Sequence, residues 1–289
     1  MPAQRESLNI IWFLALTALI SSLFYAPIIS TGHVGGGAGL YVAGLAWSPA
    51  VAAFLTVYFR HLDVRSLGLA WGAGRYALLA YATPLAYAAI AYGLIWILEF
   101  GFFPDPAAIA SLSKQLGWHF TNPAIFIPLY FVLIASTQMV SNLARAIGEE
   151  IGWRGFLAPR LVSHLGFTWG AILTGIIWAA WHMPVLLFAD YNSGTPWWFS
   201  LPCFCALTIG LSIIMAWLRL VSNSVWPCAI LHASHNVFIQ RFFTPLTGAR
   251  GRITSYVIDE FGLAVPGVIL LFALCFWFMR RRATNGNTA

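Results

Sequence analysis

Apolar residues in this chain run in long, almost uncharged blocks rather than in the short alternations of a half-buried strand. The blocks cover roughly 9–29, 38–59, 76–100, 123–146, 168–189, 199–220, 224–241 and 260–279. Each is close to the ~20 residues that a helix needs to cross ~30 Å of hydrocarbon. The pattern predicts an all-α, polytopic integral membrane protein with about eight transmembrane helices. Seven or nine stay open as counts, because only "RLVSN" (219–223) separates the sixth block from the seventh.

Composition agrees with that pattern. Of 289 residues, 60% are hydrophobic and 8% charged, with a mean hydropathy of +0.78. Soluble domains are typically about a quarter charged. With eight spans, one side of the membrane collects Arg5, Arg60, Arg65, Arg75, Arg145, Arg154, Arg160, Arg219, Arg280, Arg281 and Arg282, which is 11 of the 15 Lys and Arg residues. The positive-inside rule then predicts both termini to be cytoplasmic. Loop and tail arginines that meet anionic headgroups account for the net charge of +6, and no nucleic-acid-binding pattern accompanies them. The first apolar block is longer than a signal-peptide core and reads as a retained span. Cys203, Cys205, Cys228 and Cys275 all fall inside spans, in no metal-ligand spacing, and read as small packing residues.

Three segments organise the chain: N-terminal helices and loops at 1–122, a core at 123–241, and a last helix with a basic tail at 242–289. The loop at 101–122 reads as a short amphipathic helix with Trp118 and Phe120 as interfacial aromatics. "GHVGGGAG" (32–39) is a flexible turn without the strand–turn–helix setting of a nucleotide loop. The inverted repeats of many secondary transporters are missing, which weighs against a transporter using the polar residues as a proton relay.

Ionisable groups at membrane depth are expensive and mark functional sites by default. Here they are Glu149, Glu150 and Arg154 in "GEEIGWRG", His182 in "WAAWHMP", and His232, His235 and Asn236 in "ILHASHNVF". Glu99 and Arg219 sit at span ends, where snorkelling satisfies them. Glu150 and Arg154 stand four apart with the acid first, the favoured order for a helical ion pair. Glu149 is turned about 100° away and is left over. A buried, unpaired carboxylate suits general-base work on water. The bland alternative puts Glu149 in surface water, but two further helices carrying histidine weigh against it. His232 and Asn236 share one helical face, with His235 on another side. A polar catalytic cavity among the central helices is the expectation.

The order Glu149-Glu150-Ile-Gly-Trp-Arg154, then Trp178-x-x-x-His182, then His232-x-x-x-Asn236 resembles the type II CAAX prenyl endopeptidases within the abortive-infection family of intramembrane proteases. Trp178 stands where that family commonly has Phe. The resemblance covers roughly 123–241. It implies that Glu149 activates the hydrolytic water with His182, and that His232 and Asn236 stabilise the oxyanion. Glu150 and Arg154 would brace the site. It also implies a peptide substrate associated with the bilayer, and a prenylated protein C-terminus as one form of it. A metal-independent mechanism is preferred, with zinc on Glu149, His182 and His232 as the second option; HExxH is absent. The competing reading is a non-catalytic immunity or scaffold protein of the same fold.

Overall fold

The computed structural model describes residues 2–285. Its helices are α1 (Pro2–Thr31), α2 (Leu40–Phe59), α3 (Gly74–Ile97), α4 (Pro106–Gln115), α5 (Pro123–Leu133), α6 (Met139–Glu150), α7 (Ala158–Phe188), α8 (Trp197–Ser222), α9 (Trp226–His235), α10 (Thr244–Leu246), α11 (Ile253–Val257) and α12 (Ala264–Asn285). Three π-helical turns, Ile134–Gln138, Ile151–Leu157 and Asn236–Phe243, join α5 to α6, α6 to α7 and α9 to α10. Strands β1 (Gly101–Phe102) and β2 (Gly248–Ala249) form one antiparallel pair.

Among the described residues, five segments are long and apolar enough to cross a membrane: Gln4–Thr31, Leu40–Phe59, Gly74–Ile97, Pro123–Phe188 and Trp197–Ser222. The fourth, at 66 residues, is far longer than one crossing needs. It is two crossings, because α7 breaks at Gly166, whose φ of 73° and ψ of 166° are open to glycine and costly for other residues. A Cβ on Gly170 would lie 2.5 Å from the Val162 nitrogen, so the chain doubles back on itself there. With 226–246 and α12 the described helices make eight passages, as the hydrophobic blocks predict. Alternate passages run in opposite directions.

Both termini lie at one end of the bundle. Glu6 pairs with Arg160 at 2.8 Å, Asn9 accepts from Arg60 Nε, and the Trp277 indole donates to Thr168 beside the Gly166 reversal. Two arginines are not where the loop assignment expects them. Arg145 lines a pocket with Gly35 and Gly39 from the 32–39 turn, toward the other end, and Arg154 is fully buried. Removing both, and Arg219, which is buried as well, from eleven leaves eight basic residues at the terminal end, against five at the other once Arg145 joins the original four. The bias survives, so cytoplasmic termini stay the orientation the charge rule favours. A membrane-impermeant maleimide should then label Lys114→Cys in intact cells and Arg65→Cys only after lysis. The reverse pattern would invert the orientation.

One other expectation is corrected by packing. Arg219 does not snorkel: it is buried, with its guanidinium donating to the carbonyls of Arg154 and Ser66 and to Asn223 Oδ1. It thereby ties α8 to the π turn after Glu150. Trp118 and Phe120, both half-buried, stack on each other, and Trp118 packs edge-on against buried Phe126.

The local logic of "GEEIGWRG" is a helix with two unlike faces. Gly148 and Gly152 form a small-residue stripe four apart; a Cβ there would come within 2.8 Å of the Ala46 carbonyl oxygen and 2.4 Å of Pro49 Cβ. Such stripes let helix backbones approach closely. With α2 pressed against the glycines, the two carboxylates are turned into the bundle.

Candidate active site

A cavity of about 400 Å³ lies at the end of the bundle opposite the termini. Glu149 reaches it from the end of α6, His182 from α7, His232 from α9, and Asn236 from the start of the following π turn. All four residues singled out by the motifs therefore share one cavity. Glu150 and Arg154 do not line it; they stand behind it, each fully buried. Two of the three π turns adjoin this site, and π-bulges occur frequently at functional sites.

Behind the wall, Arg154 Nη1 donates to both Glu150 oxygens at 2.9 Å, and Arg154 Nη2 donates to Ser212 Oγ at 2.7 Å. His232 Nδ1 lies 2.9 Å from Glu150 Oε1. A carboxylate already paired with an arginine accepts, so this ring nitrogen carries the proton and Nε2 is turned toward the cavity. Glu150 thus fixes the ring orientation of His232, a link that no spacing in the sequence reveals.

His182 is set by a different partner. Its Nδ1 lies 2.9 Å from the Trp178 carbonyl oxygen, which can only accept, so Nδ1–H donates and the neutral ring presents Nε2 as a lone pair. Rings of Trp181, Phe204 and Tyr191 enclose it.

Trp178 connects the whole assembly. Its indole N–H donates to Glu149 Oε2 at 2.9 Å, and among the described residues no side chain donates to Oε1. One face of the ring carries the Arg154 guanidinium at 4.3 Å, and its edges meet His232 and His182 with centroids 5.2 and 5.8 Å away. A phenylalanine could supply the ring but not the donor. That donor is not visible in the residue order, which shows only an aromatic at this position.

The facing wall contains groups the motifs do not mark. His235 is buried, with Nδ1 2.7 Å from the Tyr87 hydroxyl and Nε2 2.8 Å from Glu260 Oε1. Glu260 also accepts from Gln240 and from the Tyr191 hydroxyl. Burial works against its charge, yet these donors hold its carboxyl below the usual value. Next to it, burial and the Glu260 charge push Asp259 up to about 6. One signal was available: "EE" at 149–150 and "DE" at 259–260 are the chain's two adjacent acidic pairs. One member of each, Glu149 and Glu260, lines this cavity.

The mouth is shaped by two loops. Asp190 accepts from the Val34 backbone N–H at 2.8 Å and contacts His33 at 3.1 Å, joining the 32–39 turn to the segment after α7. The Val34 bond holds the Asp190 carboxyl below its ordinary value. Because the mouth and the termini lie at opposite ends, cytoplasmic termini and a cavity open to the cytoplasm cannot both hold. The cavity opens on the face away from the termini.

Among the described residues, no three His, Cys, Asp or Glu side chains gather as ligands of one ion. Residues 131–238, the stretch that carries all four cavity residues of the motifs, match the family model described as type II CAAX prenyl endopeptidase Rce1-like. The chain is also 26% identical over 134 residues to a protein of Methanococcus maripaludis named CAAX prenyl protease 2. That match covers 44% of this chain and 44% of the relative, so it spans less than half of either. The family-model match falls on the segment that carries the three motifs, and their family resemblance holds.

Proposed function

We propose that this chain, whose cavity-building segment is similar to the Rce1-like endopeptidases, is an intramembrane endopeptidase acting on a bilayer-associated peptide. The observation that carries the reading is the convergence of Glu149, His182, His232 and Asn236 on one cavity. The cavity is also lined by Val42, Leu45, Val185 and Leu207, apolar side chains suited to a lipid-modified or membrane-embedded substrate. A C-terminally prenylated peptide is the specific substrate we propose.

In this reading one water is held through both of its hydrogens, by the free oxygen of Glu149 and by His182 Nε2. As its oxygen bonds to the scissile carbonyl carbon, one proton passes to Glu149. The oxyanion accepts from the Asn236 amide and from His232 Nε2–H. Since Nδ1–H of His232 is already committed to Glu150, a proton on Nε2 makes the ring an imidazolium, which the Glu150 carboxylate favours. Preset donors aimed at a developing charge are commonly the largest catalytic contribution. When the C–N bond breaks, protonated Glu149 returns its proton to the leaving amine.

The test is hydrolysis of a quenched-fluorescence farnesylated peptide by the purified protein, with and without phenanthroline. Cleavage that survives chelation supports the water mechanism. Loss that zinc restores would move the chemistry to a metal, and no cleavage of lipidated or unmodified peptide would overturn the reading.

Trp178→Phe isolates the indole donor. The ring, its contacts with both histidines and its cation–π partner are kept, while Glu149 loses a hydrogen bond. Hydrogen bonds to charged groups contribute about 1.5–3 kcal/mol, so kcat/KM should fall by about tenfold or more, with a modest drop in the thermal unfolding temperature. An undiminished kcat/KM would mean that the indole N–H does not position Glu149.

A further inference from the structure

One side chain in the cavity wall carries an acceptor that neither the fold nor the proposed mechanism uses. Asn142 lies in α6 seven residues before Glu149, on the same helical face, and lines the cavity together with Ala146 and Glu149. It is buried, with 7% of its surface exposed. At 1.5 Å of rise per residue, its Cα stands about 10.5 Å from that of Glu149. The offset is toward the mouth, since past Glu149 the chain continues to Arg160 at the terminal end. Ala146, between the two on this face, is too small to interrupt the wall.

An asparagine here needs a reason. It is a poor helix former in a helix interior. In membrane bundles, buried asparagines characteristically hydrogen-bond across to a neighbouring helix. Asn142 does not: its partner is the Gln138 carbonyl oxygen, four residues back along the same chain and 2.8 Å away. A carbonyl can only accept, so the contact is made by the Nδ2 amino group, and the other end of the amide is Oδ1. The bond holds the donor end back against the helix and leaves the oxygen as the end that faces away. Among the described residues, no group donates to Oδ1. Nor is Oδ1 one of the protein's sealed, unpartnered polar atoms; it opens on the cavity. Asn142 therefore offers an oriented, unused acceptor two helical turns from Glu149.

We propose that Asn142 Oδ1 accepts a hydrogen bond from a backbone N–H of the peptide substrate and so holds the substrate extended along α6. The inference rests on the endopeptidase reading and deepens it by stating how the peptide lies in the cavity. An extended residue spans about 3.3–3.6 Å, so a strand running from Glu149 toward the mouth brings its third residue beside Asn142. A backbone N–H is the donor that suits such a fixed acceptor, because every residue except proline presents one, whatever its side chain. Asn142 would then select for an extended peptide rather than for a particular residue.

The experiment uses the farnesylated quenched-fluorescence peptide with one backbone amide at a time replaced by an ester, over several residues on each side of the scissile bond. Each ester keeps the length of the chain and removes a single N–H. With the wild-type protein, an ester about three residues from the cut should lower kcat/KM by about three- to tenfold, as expected for a hydrogen bond between neutral groups. Asn142→Leu should cleave that ester and its parent amide alike. Asn142→Ser should do the same: its hydroxyl can still return to the Gln138 carbonyl, which keeps the local contact, but it is too short to reach the substrate. Each ratio is internal to one preparation, so a lower yield of folded variant cannot imitate the effect. If the wild type shows no ester-sensitive position at that distance, the subsite is overturned while the endopeptidase reading stands. A penalty that persists in either variant would overturn the assignment to Asn142. No hydrolysis of any peptide in the series would overturn both readings together.

Discussion

Glu149→Gln is expected to abolish peptide hydrolysis while leaving the protein folded. The amide has the shape of the carboxylate, and its oxygen still accepts the Trp178 indole N–H that Glu149 Oε2 now receives. Glu149 also stands outside the Glu150–Arg154 ion pair, so no buried charge loses its counterion. What disappears is the ability to take a proton from water. General-base assistance is typically worth about a hundred- to ten-thousand-fold, which places the residual rate near the limit of a peptide assay. Turnover of the farnesylated peptide and thermal unfolding in detergent, measured on the same preparation, check both halves. A variant that hydrolyses at the wild-type rate would remove Glu149 from the mechanism. A variant that no longer folds would make Glu149 a structural residue.

The spans and the site differ in how far they could be read from sequence. Blocks of apolar residues translate directly into helices, because hydrocarbon leaves the backbone few other ways to satisfy its polar groups. That is why all eight passages were legible, including the two that the merged helix 123–188 conceals. Glu150 with Arg154 was legible for a related reason: residues four apart on one helix are neighbours whatever the tertiary structure. The facing wall was not. Tyr87, His235 and Glu260 come from three separate helical or loop segments, and only packing brings them within hydrogen-bond distance. The same holds for His232 and Glu150, 82 residues apart in the chain. Arg145 and Arg219 mislead when charge is assigned to loops, since that bookkeeping ignores depth within the bundle. Trp178 was undervalued because an aromatic substitution conserves what sequence patterns register, while the added N–H acts through a partner on another helix.

Glu150→Gln should produce the opposite result to Glu149→Gln: a large loss of stability, with activity falling alongside it. Glu150 and Arg154 are both completely buried, and their 2.9 Å contacts neutralise two charges that the interior could not hold singly. Removing one partner of such a pair costs about 3–5 kcal/mol, chiefly because the remaining charge is stranded. The pair is already incompletely solvated, as Arg154 Nε is buried without a hydrogen-bond partner, so little is in reserve to compensate. His232 suffers at the same time, for its Nδ1–H would face an uncharged amide instead of a carboxylate. Replacing both charges with apolar groups separates these effects. Buried ion pairs exchanged for well-packed hydrophobic residues are often neutral or stabilising. A Glu150→Leu/Arg154→Met double variant should therefore recover much of the thermal stability while staying inactive, because His232 has lost the carboxylate that orients it. Recovery of activity along with stability would show that Glu150 supports the fold alone. Failure to recover either would trace the damage to Ser212 and the Trp178 ring, the other contacts of the Arg154 guanidinium.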